Sequence, residues 1–346
     1  MSAKKTVLIT GLNGYVAART AEAVLKEGYR VRGTVRNPAA GEKVKETLIE
    51  LGFDQDDIEV IHIPDVSAPG GLDIAVAGCI AILHLASPFG EIWTLPPSEI
   101  VRIAVESTTS ILHAATNAGP QLQSVVYVSS AAALFNTPVE NKTHTEEDWN
   151  TTSEKLVEEL DNEAGGFNAY CASKTAAEKV FWKFYDEQKP SFGMTALQPT
   201  YIVGEPLIPW EKREQVPYSM NHFMRILAGE DIPEPMMLYE DTIDVRDVVR
   251  MVVWSAMHPD QAGGERFICS SAVGGGQAIA DILKRDMPSL GTQAGSTGQG
   301  YRPDFRPRDG VVGFDQSKAV RMTGQSWIPY DTTVVDLIKF LQRYLS

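Results

Sequence analysis

Tyr170 and Lys174 stand four residues apart in "NAYCASKTAAEKVF", so a helix would stack them on one face. A phenol and an ammonium held together can hand over a proton, provided something else holds the group that receives it. Two further segments bear on this. "VVYVSS" ends at Ser129 and Ser130, two hydroxyls at the close of an apolar run. "TGLNGYVA" sets Gly11 and Gly14 directly after another apolar run, with the small Ala17 three positions on. A first glycine permits a tight turn, a second lets backbone N–H groups approach a pyrophosphate, and a small third residue allows close helix–strand packing. Gly11, Asn13, Gly14, Tyr15 and Val16 are therefore candidate dinucleotide contacts. Taken singly, each pattern is common, so the elements around them have to decide.

Those elements alternate. "TVLIT" reads as a strand, residues 15 to 28 as a helix, "YRVRGTV" as a strand, "GEKVKETLIEL" as a helix and "IEVIHI" as a strand. The run "IAILHLA", a long helix around residues 99 to 118 and the run "SVVYVSS" follow, and the Tyr170/Lys174 segment opens the next long helix. This βαβαβ rhythm predicts an α/β fold, a Rossmann-type doubly wound parallel sheet whose ligands bind beyond the carboxyl ends of the strands. Past residue 200 prolines cluster in "GEPLIPW" and "DIPEPMM", and short helices mix with strands such as "RFICSS". The expected division is a dinucleotide-binding domain over residues 1–200 and a smaller C-terminal substrate lobe over 201–346, with the chain returning to the first domain around 240–260. "GTQAGSTGQG", residues 291–300, reads as a loop, and a lid is one use of it.

Composition narrows the class. The 346 residues, 43% hydrophobic and 22% charged, suit an ordinary globular protein with a large core. A net charge of −14 and the lack of a basic stripe argue against nucleic acid and anionic membranes as partners. Cys79, Cys171 and Cys269 are widely spaced, which points away from a disulfide framework or zinc site and toward a reducing compartment. The six histidines form no metal-ligand cluster, and His62 and His84 fall in apolar runs as core residues would. "MSAKKTVLIT" is too short in apolar length for a signal peptide, and "IAVAGCIAILHLA" is too short to span a bilayer. A cytoplasmic protein is expected, and the sequons at Asn141 and Asn150 then carry no meaning.

The second strand speaks to the cofactor. Sites for NAD usually carry an acid there for the ribose 2′-hydroxyl. From Gly28 to Gly41 this chain has no Asp or Glu but has Arg30, Arg32 and Arg36. Arg36, at the strand's end, suits a 2′-phosphate, so NADPH/NADP+ is favoured over NADH, while Arg30 reads as a solvated strand residue.

Glycine loop, strand-end serines and Tyr-x-x-x-Lys in this order resemble the extended short-chain dehydrogenase/reductases. "VLITGLNGYVA", "HLASP", "VYVSSAAA", "YCASKTAAEKVFWKF", "LQPTYIVG" and "DVRDVV" resemble one subgroup, the dihydroflavonol-reductase-like enzymes with their fungal NADPH-dependent aldehyde, ketone and methylglyoxal reductases. The resemblance implies reduction of an aldehyde or ketone to an alcohol. Ser130, rather than Ser129, would hold the carbonyl oxygen, Tyr170 would donate the proton, and Lys174 would lower the phenol's pKa and hold ribose hydroxyls. It further assigns Asp65 and Val66 to the adenine and Lys43 to a second phosphate contact, a solvated helix lysine being the competing reading. Leu85, Ala86 and Ser87 would line the cofactor, and Pro199, Thr200, Tyr201 and Ile202 would face the nicotinamide. Phe89, Phe135, Tyr201, Trp210 and Phe223 are candidates for an apolar substrate pocket, although aromatics in a second lobe are more often core.

Two departures stand out. "VESTTSIL" offers Ser110 where many relatives carry an Asn of the proton relay, and "NAYCASK" differs from the "NWYCYGK" of cinnamoyl-CoA reductases. The rival readings are a nucleotide-sugar epimerase or dehydratase of the same fold, and a non-catalytic NADP(H) sensor. The expected partner is a small-molecule carbonyl substrate, and the chain is expected to be a monomer or homodimer.

Overall fold

The computed structural model describes residues 4–68, 70–87, 94–230, 240–291, 300–306 and 312–345. Phe89 and most of the 291–300 segment lie outside them. The chain opens with β1 (Thr6–Thr10), α1 (Tyr15–Lys26), β2 (Arg30–Val35), α2 (Pro38–Glu50), β3 (Ile58–His62), α3 (Asp73–Val76), β4 (Cys79–His84), α4 (Pro97–Asn117) and β5 (Ser124–Val128). Then come β6 (Thr143–His144), α5 (Ser153–Leu160), α6 (Gly165–Gln188), β7 (Gly193–Pro199), β8 (Tyr201–Val203), α7 (Asn221–Leu227), β9 (Asp241–Asp244), α8 (Val245–Met257) and α9 (Pro259–Ala262). The order closes with β10 (Glu265–Cys269), β11 (Ala272–Val273), α10 (Gly275–Asp286), β12 (Gly313–Phe314), α11 (Ser317–Thr323) and α12 (Tyr330–Leu341).

Seven strands form a central sheet in the order β3-β2-β1-β4-β5-β7-β10, flanked by helices. Neighbours pair in parallel from β3 across to β7. The chain leaves β1 toward β2 and β3, then returns to lay β4 on β1's other side, so the strand order reverses between β1 and β4. That reversal opens a crevice at the carboxyl ends of the strands. Burial follows position. β4 is buried at every residue, as a strand covered on both faces must be. β3, at the edge, exposes Glu59 and His62, so His62 is a surface residue rather than the core residue expected from its apolar run.

The described residues divide into two compact units. The first comprises Met1–Val139, Glu146–Gln198 and Val249–Phe267, and it holds most of the central sheet. The second comprises Glu140–Thr145, Pro199–Val248 and Ile268–Ser346. It contains a three-stranded sheet β11-β9-β8 and the two-stranded pair β12-β6. Its "DVRDVV" segment works as a brace: buried Asp244 accepts from Thr333 at 2.8 Å and from Arg246, and Asp247 accepts from the Ile328 N–H at 2.8 Å. The excursion of residues 140–145 has no sequence signal, since nothing in "ENKTHT" marks a change of unit. Among the described residues no helix is long and apolar enough to cross a membrane.

Candidate active site

The glycine loop joins β1 to α1 at the crevice. Gly11 has a φ of +69°, and a Cβ there would sit 3.2 Å from the Ala86 Cα, so backbone freedom and close approach both require glycine. The loop is pinned by Gly14 N–H to Gly11 O at 2.8 Å and by Leu12 N–H to Thr34 O at 2.9 Å. Gly14 caps α1 without any side-chain bond, which leaves the first N–H groups of the helix facing outward. Asn13 and Gly14 are exposed and Tyr15 and Val16 half-buried, whereas Ala17 packs below at 2% exposure. Beneath the loop, a Cβ on Gly33 of β2 would lie 2.3 Å from Leu12.

The three arginines of β2 and its end separate by role. Arg32 is spent on structure, with Glu59 at 2.7 Å and the carbonyls of Ala75 and Ala77 at 3.0 and 2.7 Å. Arg30 runs along the surface toward Asp57, 3.9 Å away. Arg36 is exposed just past β2, and Lys43 is exposed on α2. Asp65 turns onto Ser67, whose hydroxyl and N–H hold its carboxyl below the usual range, with Arg102 and Arg36 adding to the effect. Val66 is partly buried against the core.

Past β5 the chain makes a tight turn at Ala131–Ala133, and the buried Ser130 caps it, its Oγ accepting from the Ala132 N–H at 3.1 Å. Asn150 clamps the same turn through Ala132 O at 3.2 Å and Ala133 O at 2.7 Å. At 1% exposure that sequon asparagine is a structural part and not a glycan acceptor. α6 begins at Gly165, five residues before Tyr170, so Tyr170 sits in the second turn of the helix and Lys174 in the third, rather than at its opening. Gly165, at the helix entry, has a φ of +77°.

Tyr170 and Ser130 are hydrogen-bonded through their hydroxyls. Burial pushes the Tyr170 phenol up to about 12, and the Ser130 bond only partly opposes it. The expected acidification is therefore not a property of the resting protein: desolvation outweighs it. Lys174 is buried too, and desolvation pulls its ammonium down to about 8 against the opposing charge of Glu178. Its Nζ donates to the Val128 carbonyl at 3.3 Å and lies 5.8 Å from the centre of the Tyr127 ring. Ser110 donates to Ala68 O at 3.2 Å, tying α4 to the loop after β3.

The order of these parts matches a known family over most of the chain. The model of the NAD dependent epimerase/dehydratase family fits residues 7–269. This chain is a member of that family, the extended short-chain dehydrogenase/reductases. Among its relatives is an oxidoreductase of Schizosaccharomyces pombe, 35% identical over 290 residues, covering 82% of this chain and 83% of that one. The NADPH-dependent methylglyoxal reductase of Saccharomyces cerevisiae is 31% identical over 303 residues, covering 82% and 83%. The crystal structure of yeast methylglyoxal/isovaleraldehyde reductase complexed with NADPH superimposes with a TM-score of 0.81 at 26% identity, covering 98% of each chain.

In this extended reductase two working parts escape the motif reading. Thr10 is the first. Its Oγ accepts from the N–H groups of Leu85 (3.1 Å) and Ala86 (3.0 Å), so its own proton goes to His84 Nδ1 at 2.9 Å. Burial, with the charge of Lys174, holds His84 down at about 3, so the ring is neutral and carries its proton on Nε2. The sequence does place His84 in the core, but it does not show this link between β1 and the half-buried Leu85–Ser87 loop. The second is Glu178, fully buried on α6. It accepts from Ser129 Oγ, Gln198 Nε2 (2.6 Å), Arg266 Nε (2.7 Å) and Trp182 Nε1 (3.3 Å). Its spacing from Lys174, the same four residues that separate Lys174 from Tyr170, is the signal that could have found it.

The remaining candidates fall as follows. Phe135 is 4% exposed and stacks on Phe167, with ring centres 6.3 Å apart, in the first unit. Pro199, Thr200, Tyr201 and Ile202 open the second unit, where Thr200 N–H binds Cys269 O at 3.0 Å. There Phe223 is 2% exposed, and Trp210 packs edge-on against Phe340, its carbonyl accepting from Tyr344 at 2.9 Å. Both pack within that unit.

Proposed function

We infer that this protein reduces an aldehyde or ketone to the alcohol with NADPH, using Ser130, Tyr170 and Lys174. The observation that carries this reading is the Ser130–Tyr170 hydrogen bond one helical turn from Lys174, at the sheet edge that also bears the glycine loop. The residues fit the cofactor. The loop at Gly11 is a cradle that a Cβ would fill, the N-terminus of α1 has no side-chain cap, and Arg36 stands past β2 with no acid from Gly28 to Gly41. Gly11, Asn13, Gly14, Tyr15 and Val16 would hold the pyrophosphate, and Arg36, aided by Lys43, the 2′-phosphate. Asp65 and Val66 would meet the adenine, and Leu85, Ala86 and Ser87 would line the rest. NADPH supplies the hydride.

The chain's own part is to hold the substrate oxygen and protonate it. Ser130 Oγ donates to the carbonyl oxygen, favouring charge as it develops there. Tyr170, a phenol that carries its proton at neutral pH, gives it up to that oxygen. The phenolate left behind is stabilised by the Lys174 ammonium. Phe135, in the first unit, is kept as a candidate apolar contact for the substrate. Three free and buried cysteines support a cytoplasmic location, which a fluorescent fusion would locate directly.

The test is a panel of aldehydes, ketones and dicarbonyls run with NADPH and with NADH, following loss of cofactor absorbance. Turnover with NADPH is expected. NADPH binding without turnover of any carbonyl would favour the sensor, and tightly retained NAD would favour an epimerase. Arg36→Ala should raise the KM for NADPH about 10- to 100-fold, the worth of a charge-assisted bond, and leave that for NADH within about threefold. Equal effects on the two cofactors would remove Arg36 from the 2′-phosphate site.

A further inference from the structure

We propose that Glu178 is the positioning residue of the proton-delivery pair, a buried counter-charge for Lys174 that also anchors the strand end carrying Ser130. The inference rests on the reductase reading for its catalytic consequence, but its geometry stands independently. Tyr170, Lys174 and Glu178 recur every four residues along α6, so they share one face. Glu178 is fully buried, and Lys174 is 7% exposed. One oxygen of the carboxylate takes Ser129, the residue before Ser130, and the other takes Gln198 at the end of β7, Arg266 on β10 and Trp182 one turn further along α6. A single anion thus ties together the chain after β5, the end of β7 and the start of β10.

The charges around Lys174 leave Glu178 a specific task. From β4 comes His84, which is neutral, and from β5 the ring of Tyr127, an uncharged phenol with its pKa far above neutrality. From α6 come Tyr170 and Cys171, both uncharged because burial raises their pKa values. The charged residues Glu99, Arg102 and Glu106 on α4 are exposed and pair with one another, and Glu154 of α5 pairs with Lys179. Arg266 is turned to Glu178 and to the carbonyls of Glu146 and Asp148, over the ring of Trp149. Desolvation weakens the hold of Lys174 on its proton, and the Glu178 carboxylate is the charge that opposes this.

The experiment is the pH profile of kcat with NADPH and an accepted carbonyl, joined to the titration of the Lys174 ammonium by NMR in the protein without cofactor. A lysine ammonium is present below its pKa and lost above it, so reduction should fall as pH rises through about 8. In Glu178→Gln the high-pH limb and the NMR midpoint should both move down by roughly one pH unit or more, because the carboxylate that favours the ammonium is gone. In Glu178→Asp, which keeps the charge, both should stay near the wild-type position while kcat falls. Midpoints unmoved in the glutamine variant, or moved equally in both variants, would overturn the proposal. If the glutamine variant does not fold, Arg266→Gln takes its place with the opposite sign: removing the cation beside Glu178 should move the Lys174 midpoint up, and no movement or a downward one would refute the idea. Should the wild type turn over no carbonyl, the reductase reading fails while the NMR arm still decides the role of Glu178.

Discussion

Tyr170→Phe should lower kcat for carbonyl reduction by about 10²- to 10⁴-fold while NADPH binding, read by fluorescence, stays near wild type. The phenyl ring fills the same space, so only the proton and the bond to Ser130 are lost. The lost bond should cost about 1 kcal/mol, which for a protein of this size is a Tm change of only a few degrees. The prediction is thus a split between chemistry and folding. A variant that kept a tenth or more of wild-type kcat would show that the proton comes from elsewhere, and the triad assignment would fall. A variant that lost cofactor binding as well would mean that Tyr170 holds NADPH rather than delivering a proton.

The second large effect concerns a residue with no chemistry of its own. Gly33→Val should damage cofactor binding, because a side chain on β2 at that point has nowhere to go. Even the first carbon would lie 2.3 Å from Leu12 Cδ2 and 2.7 Å from its Cβ and Cγ, and Leu12 is fully buried within the glycine loop. Overpacking of this kind costs about 1–3 kcal/mol, and here the strain falls on the segment that is to hold the pyrophosphate. The KM for NADPH should rise tenfold or more and Tm should drop by several degrees. Adding Leu12→Ala to Gly33→Val should recover part of both losses, a non-additivity expected only of groups in contact. Strictly additive losses in the double variant would place the damage somewhere other than the loop.

The parts of the site legible in the sequence were those carried by local pattern. Gly11 and Gly14 follow a strand and open a helix, and Tyr170 and Lys174 share a helical face, so neighbours along the chain suffice to find them. The alternation of apolar runs likewise indicated each strand from β1 to β5. What stayed hidden depends on residues far apart. Thr10 and His84 meet across 74 positions, and Glu178 and Arg266 across 88, and no local spacing announces either pair. Burial misled in the same way. The pull of Lys174 on Tyr170 is readable from their separation, but the stronger desolvation of the phenol depends on the packing around α6. His62 lies in as apolar a run as His84, yet it falls on an edge strand and His84 on a central one. Strand order, not composition, separates them.

The return of the chain at Val249–Phe267 sets the order in which the molecule can mature during synthesis. The carboxylate of Glu178 emerges from the ribosome long before the guanidinium that neutralises it, with the whole stretch from Pro199 to Val248 translated in between. Until then the nascent domain has a glutamate destined for its interior without its cation, a deficit of several kcal/mol for a buried unpaired charge. Its sheet also ends at β7, with a bare strand edge where β10 will lie. The N-terminal two hundred residues are therefore not a self-sufficient folding unit, despite containing the triad and the glycine loop. A nascent chain of that length should remain open to proteases and chaperones until β10 arrives to close the sheet.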